Sequence, residues 1–408
     1  MRNTIDQKRI LLVFPVVPYP ARANGISIRY LPIIQHLSNH HHLDAIIFDD
    51  QNLEIDKLKK YFESITVVGK PEKGKFGLIK KIFLVLTCAL PWTTPISFAH
   101  YNTKGMLTKL KLASGTSCYD CIIWVAPMYA NYIFALAKII KPHRVVIDFI
   151  DSPYLHSQRE SVGSFRIGFI QRYESWKTKL WEQRLVSFTN SCIYISTVDA
   201  QAISPNNNKN TIRHVIPNGV FSHDYSHARL DYITSPCIGF LGNMQYPPNI
   251  EAALWLYNEV FVPLRERMEE LTLYIVGKNP VESIISLSND KNVIVTGTVE
   301  NIWPHVNAID VFLFPLKRGA GMKNKLLDVM YASRPVVTSA IGNEGINAAS
   351  GKELLICDTA DDYIRETEKL LLSEVLRQRI GEAARQFVTT NYCIENITRD
   401  YEKIVLEG

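Results

Sequence analysis

Several familiar signatures are missing from this sequence, and each absence removes a class of function. There is no Gly-x-Gly-x-x-Gly fingerprint and no Walker phosphate loop, so neither a nicotinamide dehydrogenase nor an ordinary ATPase is supported. No Asp-x-Asp occurs, which removes the usual carboxylate pair for a metal-held diphosphate. A spanning helix needs ~20 apolar residues. The longest strongly apolar segment, Ile82 to Leu90, falls well short of that. Met1 to Arg9 is polar and lacks the apolar core of a signal peptide. The seven cysteines (88, 118, 121, 192, 237, 357 and 393) are an odd number in a long chain and form no disulfide framework. Cys118 and Cys121 make the one Cys-x-x-Cys pair, inside an apolar run, so reduced thiols are expected rather than zinc. A strong charge imbalance is missing too. The 45 basic and 40 acidic residues leave only +5, which argues against a nucleic-acid partner.

What is present reads as an ordinary globular chain. Its 408 residues, 47% apolar and 21% charged, suit two or three domains rather than one core. The basic excess is uneven: residues 1–113 carry 16 Lys and Arg against 8 Asp and Glu, which suggests an anionic surface or substrate. Short β-branched apolar runs alternate with helix-patterned stretches throughout. The first set is Ile10–Phe14, Leu43–Phe48, Ile65–Val68, Asp120–Val125, Val145–Phe149, Ser191–Ile195 and His214–Ile216. The second is Cys237–Leu241, Leu271–Val276, Val293–Thr296, Val311–Phe314, Pro335–Thr338 and Leu354–Cys357. Continuous apolar strands spaced by helices predict an α/β protein with two parallel sheets, each covered on both faces. The turn Pro217-Asn218-Gly219 and the polar stretch after it mark the boundary. The expected division is an N-terminal domain over 1–225, a second over 226–385, and a C-terminal helix over 386–408 packing back towards the first. Asn249 is expected to cap a helix whose apolar positions Ala252, Ala253, Leu256, Val260 and Leu264 recur at three and four.

Candidate ligand-binding residues fall at strand ends. Gly25 opens a helix after the first strand, where backbone N–H groups and the helix dipole favour an anion. Arg29 one turn on would add charge or cover the surface. The strongest signal runs from Phe314 to Val337: a strand, a loop with Gly319 and Gly321, a helix start with Lys323 and Lys325, and a further strand. Open α/β sheets bind ligands at such carboxyl ends. Lys323 and Lys325 concentrate positive charge suited to a diphosphate. Asp328, about one turn after Lys325, is placed to accept from ribose hydroxyls. The His40-His41-His42 run reads as a solvated connection without carboxylate or Cys partners, and no metal site is expected. Lys57 to Lys81 form a basic stretch leading into Ile82–Leu90 and Trp92, and the segment Lys70–Trp92 fits attachment to an anionic membrane surface.

These segments together resemble a known family. Val-Ile-Pro-Asn-Gly-Val (215–220), Gly-Phe-Leu-Gly-Asn-Met-Gln-Tyr-Pro-Pro-Asn (239–249), Leu-Tyr-Ile-Val-Gly (273–277), Val-Phe-Leu-Phe-Pro-Leu (311–316), Gly-Met-Lys-Asn-Lys-Leu-Leu-Asp-Val-Met (321–330) and Glu-Gly-Ile (344–346) carry the likeness. The chain resembles the family-four nucleotide-sugar glycosyltransferases of GT-B architecture. Asp148-Phe-Ile-Asp-Ser (148–152) is similar to their exopolysaccharide-type sugar transferase subgroup. The resemblance implies two facing Rossmann-like domains and transfer from a nucleotide diphosphate sugar to a saccharide or lipid-linked acceptor, with retention and without cofactor or metal. It further implies donor contacts at Gly25, Gly242, Asn243, Gly277, Arg318, Gly319, Ala320, Gly321, Met322, Lys323, Asn324, Lys325 and Asp328. Three departures stand out. Ala320 occupies the place of a sugar-holding glutamate, and Asn243 that of an Arg. The first-domain histidine after a strand is missing, with Asp151 and His156 as catalytic substitutes in the right region. The expected location is the cytoplasm, at the inner face of the membrane. Two rival readings stand: an inactive scaffold subunit of a transferase complex, which the missing carboxylate and histidine motivate, and a same-fold nucleotide-sugar epimerase, which needs additional cleft carboxylates and histidines.

Overall fold

A computed structural model describes residues 7–21, 24–48, 53–68, 90, 94–95, 98, 106–113, 118–160, 165–203, 211–220, 225–319 and 321–407. The chain forms two compact units, Met1–Asn218 with Glu395–Gly408, and Gly219–Ile394. The first holds β1 (Arg9–Phe14), β2 (His42–Ile47), β3 (Ser64–Val67), β4 (Cys121–Val125), β5 (Arg144–Ile150), β6 (Ser191–Tyr194) and β7 (Ile212–Val215) in the sheet order β3-β2-β1-β4-β5-β6-β7. The second holds β8 (Cys237–Leu241), β9 (Thr272–Val276), β10 (Val293–Gly297), β11 (Val311–Phe314), β12 (Val336–Thr338) and β13 (Leu355–Ile356) in the order β10-β9-β8-β11-β12-β13. All neighbouring strands in both sheets run parallel.

The strands expected from the sequence are all present, with ends that coincide or shift by one or two residues. Their continuous apolar character has a direct cause. Ile10, Leu12 and Phe14 pack into one core of the first unit, while the intervening Leu11 and Val13 pack into another. Both faces of the sheet are therefore covered, and no position of the strand can be polar without a partner. Each sheet reverses its winding direction once. The reversal falls between β1 and β4 in the first unit and between β8 and β11 in the second. Crevices open at such points, beyond the carboxyl ends of the strands.

The helices that bear on function are α1 (Gly25–Ser38), α2 (Pro153–Glu160), α3 (Phe165–Phe188), α4 (Pro247–Trp255), α5 (Asn324–Tyr331), α6 (Glu374–Asn391) and α7 (Ile394–Glu407). Among the described residues no helix is long and apolar enough to cross a membrane. The described cysteines form no disulfide.

The change of unit comes inside the Pro217-Asn218-Gly219 turn rather than at the expected 225/226. Arg29 explains the first side of that boundary. Its guanidinium donates to the carbonyls of Ile216 (2.9 Å) and Pro217 (3.3 Å) and to Asn218 Oδ1 (3.0 Å). On the other side, Val220 N donates to the Tyr392 carbonyl at 2.9 Å within the second unit. The tail also differs from the expected single helix over 386–408. Helix α6 stays in the second unit, where a Cβ at Gly381 would lie 2.1 Å from the Ser333 carbonyl oxygen. Only α7 belongs to the first, and its Ile397, Tyr401 and Val405 enter that unit's core.

Arg29 is not a surface charge. It is buried at 3% exposure and pairs with the fully buried Asp148 at 2.8 Å. The same carboxylate accepts from Tyr30 Oη at 2.7 Å and from Ile150 N at 3.0 Å. Tyr30 Oη in turn meets Tyr401 Oη at 2.7 Å. The Arg29 Nε and Nη1 atoms are bonded in this way, while Nη2 is buried without a hydrogen-bond partner among the described residues; a buried charge pair is tolerated when most of its polar atoms are so satisfied.

Candidate active site

The site in the second unit forms at the reversal between β8 and β11, from the loops that leave those two strands. At the end of β8, Gly242 and Gly277 bring two strand ends unusually close. A Cβ on Gly277, whose φ is +148°, would lie 1.8 Å from the Gly242 carbonyl oxygen. A Cβ on Gly242 would meet Asn249 Nδ2 at 2.8 Å and the Lys325 ammonium at 3.4 Å. Gly277 thus permits the close approach of the two strand ends, and Gly242 leaves room for the Asn249 amide beside the lysine head.

Asn249 does not cap α4, contrary to the expectation. Pro247 supplies the first helical position after Tyr246, so Asn249 sits within the first turn and its amide is available. Its Nδ2 donates to the Asn243 carbonyl at 2.9 Å, and its Oδ1 accepts from Lys325 Nζ at 2.7 Å. The ammonium also lies over the rings of Phe240 and Phe314, 4.6 and 5.2 Å from their centroids. Part of the Lys325 chain still meets solvent, but its head is packed among these groups. Burial, with a smaller contribution from Lys323, pushes its pKa down to about 7. Among the described residues no anionic side chain pairs with it; the bonded partner is a neutral amide. A cation held in this way gains strongly from an incoming anion.

The other expected donor residues divide into three groups. Gly319 and Gly321, at φ +128° and +70°, shape the loop, and Met322 is buried within it. Lys323 precedes Asn324, the first residue of α5, and turns its ammonium back onto the Gly321 carbonyl. Asp328 lies one turn beyond Lys325 on α5 and is 8% exposed. Arg318 is engaged elsewhere, donating to Glu251 Oε2 at 2.7 Å in an exposed pair. Asn243 accepts from Gln245 N at 3.2 Å through its side chain, and its carbonyl holds Asn249. Ala320 and the segment Lys70–Trp92, apart from the exposed Leu90, lie outside the described residues.

Gly25, Asp151 and His156 come together in the first unit, not in the second. They line a cavity of about 680 Å³ with Ala126, Met128 and Phe149. It opens at the reversal between β1 and β4. Ala126 (φ 61°) and Ile150 (φ 66°) follow or end β4 and β5 in a backbone region that costs a β-branched residue free energy. Asp148 holds Ile150 there through the 3.0 Å bond to its N–H. At the mouth of α1, Asn24 and Ser27 form a reciprocal cap, and a Cβ on Gly25 would find open space. Glu182, on α3, was invisible to sequence reasoning because its partners are distant in the chain. Its carboxyl accepts from Ser152 Oγ (3.0 Å), Tyr154 N (2.9 Å) and Tyr194 Oη (3.0 Å), so it anchors the segment that carries Asp151 and α2. Burial raises its pKa to about 7 against these bonds.

Residues 235–373, most of the second unit, match the family model described as glycosyl transferases group 1. A 44.6 kDa protein of the cps region of Klebsiella pneumoniae is 22% identical over 372 residues, covering 86% of this chain and 87% of that one. Among solved structures, Anabaena HepE in complex with UDP and glucose superposes with a TM-score of 0.64 at 13% identity, over 98% of this chain and 99% of HepE. Sucrose-phosphate synthase from Thermosynechococcus elongatus gives 0.69 at 13% identity, over 97% and 98%. The second unit is thus a glycosyl transferases group 1 domain, and the chain has the two-unit fold of GT-B glycosyltransferases.

Proposed function

We propose that this chain, a glycosyltransferase by its second unit, moves a sugar from a nucleoside diphosphate sugar to a saccharide or lipid-linked acceptor in polysaccharide biosynthesis. The observation that carries this reading is the Lys325 ammonium, buried at the β8/β11 reversal with no counter-charge among the described residues and oriented by Asn249. A departing diphosphate gathers negative charge as the glycosidic bond breaks, and a preset cation that needs no reorganisation stabilises that charge. The start of α5 adds N–H dipoles of the same sign. In this proposal Asp328 accepts from the ribose, and Gly319 to Met322 offer backbone groups to the sugar. The diphosphate is neutralised by Lys325 and Lys323 without a metal, and transfer retains anomeric configuration. The cavity of the first unit takes the acceptor, with Asp151 and His156 facing it.

HepE, by its description, binds UDP and glucose, so uridine donors head the panel. The test incubates the protein with membrane extract and radiolabelled nucleotide sugars, and compares the parent with Lys325→Ala. Label entering a lipid or saccharide fraction only with the parent supports the reading. No transfer and no donor hydrolysis, while nucleotide still binds, makes the protein a binding subunit instead. The proposed location is the cytoplasmic face of the membrane, on the sequence of Lys70–Trp92 alone. Basic side chains there contribute ~1 kcal/mol each near anionic lipid. Flotation should require anionic vesicles and weaken with salt, and equal flotation on neutral vesicles refutes the electrostatic part.

A further inference from the structure

The fold gives the histidine run a partner that the sequence conceals. Helix α1 ends at Ser38, and its cap Asn39 keeps right-handed helical dihedrals, so His36 and His40 stand one turn apart with ring centroids 5.0 Å from each other. Glu402 of α7 reaches them from a distant part of the chain. Its Oε2 lies 2.7 Å from His36 Nε2, and its Oε1 lies 3.4 Å from His40 Nδ1. The His40 Nδ1 atom is shielded from solvent and makes no hydrogen bond. One ligand atom from each of the three residues falls within 4.8 Å of the others. A tetrahedral zinc ion with bonds near 2.0–2.2 Å sets its ligand atoms about 3.4 Å apart. The three atoms therefore stand close to the spacing that such an ion requires.

His41 plays a different part. Its side chain is 1% exposed, and its Nδ1 accepts from the backbone N–H of Lys8 at 3.3 Å. The ring proton must then sit on Nε2, which donates to Glu402 Oε1 at 2.8 Å. A donor of this kind fixes a metal-binding carboxylate in orientation.

We propose that His36, His40 and Glu402 bind a divalent zinc-class cation, with His41 holding Glu402 in place and water completing the coordination. Two imidazoles and one carboxylate form a borderline nitrogen–oxygen set that suits zinc and cobalt over magnesium or calcium. All four residues belong to the first unit, remote in sequence from Lys325, and the ion's role is to fasten α7 to the end of α1. Cross-linking positions so far apart in the chain removes conformational freedom chiefly from the unfolded state.

The test uses the full chain after chelator treatment, titrated with Co(II) and then Zn(II). One equivalent of Co(II) should bind with visible d–d absorption of a tetrahedral nitrogen–oxygen site, and Zn(II) should displace it. His40→Ala, at the most exposed of the three ligands, and Glu402→Gln should each abolish that absorption. His41→Phe should weaken affinity roughly 10–100-fold, as loss of an orienting partner does. Melting of each metal-free variant by circular dichroism separates loss of the site from loss of the fold. His143→Ala serves as a control that should bind like the parent. Absence of stoichiometric binding by a folded parent overturns the proposal. So does Co(II) absorption that survives in the folded His40→Ala variant.

Discussion

If the Lys325 head awaits an anion, binding of a nucleoside diphosphate must draw a proton from solution. The free protein holds this ammonium at a pKa of about 7, because burial among Asn249, Phe240 and Phe314 disfavours its charge. A bound diphosphate restores the charge and lifts that value well above the working pH. Proton uptake on binding should therefore be about 0.5 at pH 7 and about 0.9 at pH 8. Affinity should fall towards ~10-fold per pH unit above 7, giving about 25-fold between pH 7.5 and 9, where the diphosphate itself no longer titrates. The stability of the free protein runs the other way. A lysine whose folded pKa is lowered makes the unfolded state bind more protons between pH 7 and its ordinary value, so stability rises with pH there. Calorimetric titration in two buffers of different ionisation enthalpy measures the uptake directly. Lys325→Arg should bind without uptake, and Lys325→Ala should lose about 1.5–3 kcal/mol of binding, the range for a hydrogen bond to a charged group. Zero uptake by the parent at pH 8, with affinity unchanged from 7.5 to 9, refutes the assignment.

Asp328→Asn should lose the parent's preference for a ribose over a 2′,3′-dideoxyribose nucleotide, and an unaltered preference in competition binding removes Asp328 from the ribose site. Gly277→Ala should fold poorly or lose nucleotide binding, since its Cβ would lie 1.8 Å from the Gly242 carbonyl oxygen; wild-type melting together with wild-type affinity contradicts that packing. Glu182 has a folded pKa of about 7 against an ordinary 4.5, so the native state binds the extra proton and stability should fall by about 3 kcal/mol as pH rises through that window. Glu182→Gln mimics the neutral acid, and its urea midpoint should be flat where the parent's declines; parallel profiles exclude Glu182 as the source.

The sheets are legible in the sequence because a strand buried on both faces must be apolar at every position, as Leu11 and Leu12 are. The helix beginning near Ile26 and the Lys323–Asp328 segment are legible for the same local reason: their signals sit within one or two turns. Asn249 is misread because Pro247 takes the start of the helix and moves the asparagine inward, which turns a capping residue into a tether for Lys325. Arg29 looks like a surface residue on its helix, yet its carboxylate partner is 119 positions away. Arg318 looks like a phosphate clamp, yet Glu251 takes it. The histidine run looks solvated until α7 brings Glu402 against it. Asn249 apart, the deciding partner in each case is distant in the chain, and only the fold supplies it.

The return of α7 to the first unit has a consequence for the order in which the protein can assemble. Residues 219–394 are synthesised between the first unit's sheet and its last helix, so the ribosome releases the whole second unit before the first can finish. During that interval Tyr30 lacks the hydroxyl of Tyr401, and the apolar places of Ile397, Tyr401 and Val405 stand open. At elongation rates of about 5–20 residues per second, the gap lasts on the order of ten seconds or more. Nascent chains stalled before residue 394 should accordingly show a protease-resistant second unit growing beside a loosely packed first one, a sequence of events opposite to simple N-terminal-first folding.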